Sequence, residues 1–477
     1  MKLKKDLLIV MLLIFVNLSI FSQIGIGTTN PHVSSVLDMT STTQGVLTPR
    51  MTSAQRLAIL SPIEGLLVFD NEEDAFYYYN GSVWVKLEGA IQRDNYKLVK
   101  DISDLADELS GSKYVLSDSY TYEINGKITF DYPVELNGAN IIGRDTGEDI
   151  LENASGSTFF TGTKGGRFKD LVIEGGDNPV FNISGGAGTG SVAGYSVLIK
   201  NASSLGTISD LFSVFFEVLQ VTDTDNGFDI SDITSFFMDK IFWTGGNKGT
   251  FLKLSGTFGN LQIANGRVVA DSGEIGVDVS ANPSISVSAS LSEVSFTGSG
   301  DLIKSYTSGS YSGYNFTNDW DVDCPGIPVE TDGNATGNIN LDYAVGSGAN
   351  TTFSGTGTSS RIKIAGNTTS TNLFRFSSPI NNRITYKGSK TRYFSLSASL
   401  SFQGDNNNTI FIFYMSKNNT IIEETKVYRE VGENNDVGAL PIVGTVELAP
   451  NDYIEVWAER YSGSGDLLAV SLNLIIR

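Results

Sequence analysis

The sequence is nearly bare of the side chains on which thiolate and imidazole chemistry depends. Its 477 residues contain one cysteine, Cys324, and one histidine, His32. A lone cysteine closes no intrachain disulfide. With one histidine, zinc sites built on several His or Cys ligands are excluded, and Ser-His-Asp or Cys-His catalysis is all but excluded. Cys324 reads as a small buried apolar residue, and His32 as a loop residue after Pro31. Positive charge is scarce as well. Against 53 acidic residues stand 33 lysines and arginines, a formal charge of −20. Such a surface repels phosphates, so nucleic acid is excluded as a partner and an anionic membrane surface is disfavoured. Long apolar runs are confined to Leu7–Phe21, shorter than the ~20 residues a membrane span needs. Lys2, Lys4 and Lys5 precede that run and Ser22-Gln23 follow it, the pattern of a signal peptide over residues 1–22. Cleavage after Ser22 leaves a secreted chain with no membrane insertion.

What is abundant points to β-structure. Glycine numbers 51, aromatics make up 10%, charged residues only 18%, and Ser, Thr and Asn recur throughout. That composition suits short strands joined by tight turns rather than helical bundles. Residues 23–98 form a first region. Thr52–Leu60 is predicted as a short helix with a Thr or Ser cap, stopped by Pro62. Gly65–Asp70 and Phe76–Tyr79 read as strands, and Asn80-Gly81 as a hairpin turn. The pattern "IGIGTTNP…VLD…GVLTPRMT…YYNGSVW" resembles the N-terminal module of exported surface proteins and phage-type tail fibres of Bacteroidetes. The resemblance implies attachment rather than catalysis.

Residues 99–345 form the second region. Asp101–Leu109 is predicted as one short helix with an apolar stripe of Ile102, Leu105 and Leu109. Loose repeats follow, beginning at Phe168, Leu219, Met238, Leu261 and Leu291. Phe228, Phe251, Val277 and Leu302 occupy like positions, giving a period of roughly 23–26 residues. A unit this short buries its apolar face only by stacking on its neighbours, so a right-handed parallel β-helix is expected. The entry segment "SGSKYVLSDSYTYEINGKITFDYPVELNGANIIG" resembles pectate-lyase-like β-helices of phage spikes.

Residues 346–370, rich in Gly, Ser, Thr and Asn, read as a thin connector. From 371 to 477 the strands alternate cleanly, as in Phe394-Ser-Leu396-Ser-Ala398-Ser-Leu400-Ser-Phe402, and predict an antiparallel sandwich. "NRITYKGSKTRYFSLSASLSF…GTVELAPNDYIEVWAER…LNLIIR" resembles trimeric jelly-roll heads of the complement and tumour-necrosis-factor type. That resemblance implies a homotrimer. In Tyr453–Glu459, alternation turns Ile454, Val456 and Ala458 inward and Tyr453 and Trp457 outward, the expected trimer interface.

Chemistry, if present, has to run on carboxylates, Lys, Tyr or a bound cation. Asp223-Thr-Asp225-Asn-Gly227-Phe-Asp229 invites calcium, but an EF-type loop fails on Gly227 at the fifth position, Phe228 at the sixth and Thr234 at the twelfth. No cofactor is expected, and only a looser calcium site stays open there. Carboxylate pairs such as Asp170 with Glu174, Asp223 with Asp225, and Asp232 with Asp239 are the candidates for polysaccharide cleavage. Gly188-Thr-Gly190-Ser-Val-Ala-Gly194 has the wrong spacing for a dinucleotide loop and reads as a turn. Tyr306, Tyr311, Tyr314 and Trp320 are candidate sugar-stacking rings, with core or interface packing as the competing reading. Three classes of function follow: a non-catalytic fibre or adhesin, on a virion or secreted, that binds cell-surface glycan or receptor; a polysaccharide-degrading spike; and a passive coat component.

Overall fold

The computed structural model describes residues 23–87, 94–186 and 188–477; the expected signal peptide, residues 1–22, lies outside them. The chain divides into two compact units, one ending at Asp94 and one running Asn95–Arg477.

In the first unit, Ile24–Ile26 pairs in parallel with Leu37–Met39. Arg50–Met51, Leu67–Asp70, Ala75–Tyr79 and Trp84–Lys86 form a four-stranded sheet. The predicted helix is present over Ser53–Leu57, opened by a reciprocal capping box between Thr52 and Gln55. Arg56 leans from it into a 2.9 Å ion pair with Asp70, with its guanidinium 3.7 Å from the centre of the Tyr77 ring. Burial would raise the Asp70 carboxyl. Arg56, the Ser53 hydroxyl and the N–H groups of Glu73 and Glu72 outweigh it and hold the carboxyl at about 2.

The second unit begins as a parallel solenoid. Its first strand, Tyr96–Val99, pairs with Thr121–Ile124, and parallel pairing continues rung by rung to Trp320–Asp323. The opening turn is covered by Ile102–Glu108, a tight 3-10 segment capped by Asp101 where a regular helix is predicted. One inward column runs Phe168–Gly194–Phe216–Met238–Ile263–Leu291–Val322. It belongs to one apolar core extending from Val99 to Cys324. Gly194 is required there: a Cβ would stand 2.6 Å from the Phe216 ring.

Between flat strands the chain turns on single residues of positive φ. Asp170, Ser196, Val218, Lys240, Asn265 and Glu293, all with φ between 51° and 56°, stack as one such corner. The register skips each of them, passing for example from Glu217↔Asp239 to Leu219↔Ile241. A one-residue left-handed step redirects the strand without a loop, so core strands on two faces follow each other directly. The column predicted through Phe228, Phe251, Val277 and Leu302 runs instead through Phe228, Leu252, Val277 and Ile303. Two of its four members were one residue out of register, because Phe251-Leu252 and Leu302-Ile303 each offer two adjacent apolar residues.

The C-terminal part is an antiparallel two-sheet sandwich. Strands Thr369–Phe374, Thr336–Asp342, Leu467–Ile476, Arg392–Gly404 and Val437–Leu448 make one sheet, in that order. Phe376–Ser377, Ile384–Tyr386, Tyr453–Ser462, Thr409–Lys417 and Thr420–Val431 make the other. The chain crosses repeatedly between the sheets, with Phe376–Ser377/Ile384–Tyr386 and Thr409–Lys417/Thr420–Val431 as hairpins within the second. Phe394, Leu396, Ala398, Leu400 and Phe402 all point inward, as alternation predicts. The stretch 346–370 is no bare connector: Ala349–Thr351 pairs with the last strand and Ile362–Lys363 with Tyr453–Ser462. Thr336–Asp342 also belongs to the sandwich and not to the solenoid.

Candidate functional site

The four rings proposed as sugar platforms close the joint between solenoid and sandwich. Tyr306 and Trp320 are buried; the Trp320 Nε1–H donates to Tyr306 Oη at 2.9 Å, which donates to the Pro283 carbonyl at 2.7 Å. Tyr314 stacks 4.0 Å from Phe374 of the sandwich, and Tyr311 meets the same ring edge-on at 5.5 Å. An open solenoid end exposes the apolar interior of its last rung, and these aromatics cover it. Tyr306 and Trp320 are thereby shut off from any ligand, and Tyr314 has one face against Phe374.

Arg375, 2% exposed, completes the joint. Its guanidinium donates to the carbonyls of Asn318, Trp320 and Glu330 and stands 3.6 Å from Asp332. Burial pushes the Glu330 carboxyl upward against the N–H groups of Asn315 and Phe316 that it accepts.

Asp170, Asp223 and Asp232 are positive-φ corner residues. Burial would raise Glu174, yet ion pairs to Lys200 and Lys127 hold it below the usual carboxylate range. The Asn265 amide and Lys240 do the same for Asp239. In the calcium-like loop, Asp225 pairs with Lys248 at 2.8 Å. Among the described residues no group of three or more His, Cys, Asp or Glu is placed to hold a metal ion. Burial drives the Cys324 thiol up to about 11, away from reactivity.

On the head, Ile454, Val456 and Ala458 face inward as expected. The opposite face of that strand is not an open aromatic patch. Glu455, fully buried, accepts from Arg383 at 2.8 Å, Lys363 at 3.2 Å and Trp457 Nε1 at 2.9 Å. Arg383 lies 3.8 Å over Tyr453. Tyr453 and Trp457 are therefore half-covered members of an ion-pair cluster roofed by Ile362–Lys363.

A different set of rings does face outward. Register places Arg167, Ala193, Phe215, Phe237 and Gln262 in one outward column, beside Lys169, Tyr195, Glu217 and Asp239. Phe215, Phe237 and Tyr195 lie outside the apolar core and are partly exposed. Tyr195 and Phe215 are 5.1 Å apart, and Arg167 stands 5.9 Å from the Tyr195 ring. Beside Arg167 opens a cleft of ≈370 Å³ lined by Gly138, Asn140, Lys164, Gly166, Thr189, Gly190 and Ser191. This is the candidate site. Sequence reasoning missed it although a signal was present: in alternating strands the doublets Phe215-Phe216 and Phe236-Phe237 each force one ring outward.

Residues 25–103 match a family model described as "Phage tail like trimerisation region". No curated protein matches the chain. Among solved structures, murine APRIL at pH 8.0 aligns at 10% identity and a TM-score of 0.20, over 29% of this chain and 98% of that one. The enzymatically active domain of tailspike protein 4 from bacteriophage CBA120 aligns at 10% identity and a TM-score of 0.22, over 90% of this chain and 77% of that one.

Proposed function

We propose that the chain is a trimeric fibre of phage-tail type that binds a bacterial cell-surface glycan or receptor without cleaving it. One observation carries the trimer. Between residues 23 and 87 fifteen large apolar side chains are exposed, among them Val36 at 79%, Leu47 at 75% and Ile63 at 75%, and Val68 is the one apolar residue buried. A unit that leaves its apolar residues in water in a single copy acquires its core from other copies. The match of residues 25–103 to a trimerisation region supports the same reading. This reading seats self-association in residues 23–87, whereas the resemblance of the head implied Tyr453 and Trp457.

The non-catalytic reading rests on the carboxyl groups. Glycoside cleavage needs a proton donor of raised pKa facing a substrate groove. Glu174 and Asp239 are shifted downward, and the raised Glu330 is 1% exposed inside the joint. A virion fibre and a secreted adhesin both accommodate this design, and among the described residues no helix is long and apolar enough to cross a membrane. Light scattering should give three times the chain mass, and the protein should bind whole cells and leave their polysaccharides intact. A monomer refutes the fibre. New reducing ends or unsaturated sugars refute the non-catalytic reading.

A further inference from the structure

Resting on that reading, we infer that the outward ladder of Arg167, Tyr195, Phe215 and Phe237, with the cleft beside it, is the glycan-binding site and that it selects acidic saccharides. In a chain of net charge −20, the cleft is lined by two cations and no carboxylate: Lys164 and Arg167, among glycines and small polar residues. Among the described residues the one carboxylate within 4.0 Å of either is Asp118, 3.4 Å from Lys164 and itself well exposed. Among the described residues Arg167 has no carboxylate within 4.0 Å, so its planar fork is free for bidentate contact with a sugar carboxylate or sulfate. Glycine lets neighbouring turns close up behind the cleft, since a Cβ on Gly166 would stand 3.1 Å from the Ala139 carbonyl and one on Gly190 2.5 Å from that of Lys164.

The rings supply the second half of the site. Phe215 and Phe237 turn outward on successive rungs, where Ser290 and Asp321 stand further along the same column. Ring faces presented side by side take up the apolar faces of sugar rings. From Arg167 to Phe237 is three rung steps, ~14 Å at the usual strand spacing, the reach of an oligosaccharide lying along the solenoid. Anion at the Arg167 end and sugar rings over Tyr195, Phe215 and Phe237 define one polarity for the bound chain. Asn260 and Gln262, on the next rung, extend it with uncharged hydrogen-bonding groups.

The test uses the full-length protein on immobilised polygalacturonate, hyaluronate and neutral dextran, and on whole host cells. Wild type should prefer an acidic polymer over dextran by about tenfold or more, the worth of one charge-assisted contact, and the preference should shrink as salt rises. Arg167→Ala should abolish the preference, Arg167→Lys should restore it in part, and Phe215→Ala should weaken binding to every polymer. Lys253→Ala, on another face and paired with Asp229, should change nothing. Equal binding of dextran and acidic polymers overturns the inference, as does full binding by Arg167→Ala and Phe215→Ala, or binding to cells but to no acidic polymer; each leaves the fibre reading standing. Dissociation of the Phe215→Ala protein into monomers also overturns it, by making this face a contact between copies. Wild type that binds neither cells nor polymers defeats the fibre reading itself.

Discussion

Replacing Arg375 by alanine should uncouple the sandwich from the solenoid. The side chain reaches from the sandwich into the last solenoid turns, where it donates to the carbonyls of Asn318, Trp320 and Glu330. Hydrogen bonds from a charged donor are worth ~1.5–3 kcal/mol each, so three give a gross loss of ~5–9 kcal/mol. Against this stands the relief of no longer burying a guanidinium, several kcal/mol. The balance falls at ~3–5 kcal/mol, the range for removing one partner of a buried pair. Asp332 makes the outcome worse: its Oδ1 already has no hydrogen-bond partner, and Arg375 is the nearby cation. Arg375→Met, which refills part of the volume, should recover the packing and none of the carbonyl bonds. Hydrogen exchange is the suitable assay, because it reports Trp320–Asp323 and Ile384–Tyr386 separately. Both strands should exchange roughly a hundredfold faster in Arg375→Ala, as ~3 kcal/mol requires. A loss below ~1 kcal/mol, or one confined to the sandwich, would refute the joint as described.

Three further outcomes follow from single features. Val218 holds φ 56° at an exposed corner, a conformation costly for a β-branched residue; Val218→Asn should stabilise the solenoid by ~1 kcal/mol in urea unfolding, and a loss of stability would show that the corner is not strained. Asp70 is held at about 2, below its ordinary value near ~3.9. Its contribution is therefore complete above ~pH 5 and is lost as pH falls from ~4 through ~2, so acid melting of residues 23–87 should steepen in that window in wild type and flatten in Asp70→Asn. Placing charge on the exposed apolar surface, with Val36→Asp and Leu47→Asp together, should turn the trimer into monomers in light scattering with the solenoid's circular dichroism unchanged; an intact trimer would place the contact elsewhere.

Much of the architecture was legible because inward positions obey a simple period. Phe394 to Phe402 alternates without exception, and the sandwich follows it. The solenoid repeats showed through Phe228 and Val277 but slipped by one residue at Phe251 and Leu302, because sequence gives spacing and only the backbone pairing gives register. The corner residues were invisible for a related reason. Aspartate, serine, valine, lysine, asparagine and glutamate share one column, and no composition rule unites them; stacking imposes the conformation. The connector over 346–370 misled in the same way, since Gly, Ser and Thr pair into sheets once neighbouring strands supply the partners.

The candidate site was missed for a reason that bears on its meaning. Aromatic residues clustered in sequence, Tyr306 to Trp320, drew the binding role, whereas winding spent them on sealing the joint. The outward rings are scattered in sequence over Tyr195, Phe215 and Phe237 and meet only because each turn of the solenoid returns to the same face. In such a fold the inward positions specify the structure, while the outward positions of a rung can change without loss of the core. Outward phenylalanines on consecutive rungs, beside a cation that has no carboxylate within 4.0 Å among the described residues, conflict with what solubility alone favours on that face. A local departure of this kind from the pattern that builds the fold is what a surface selected for binding produces.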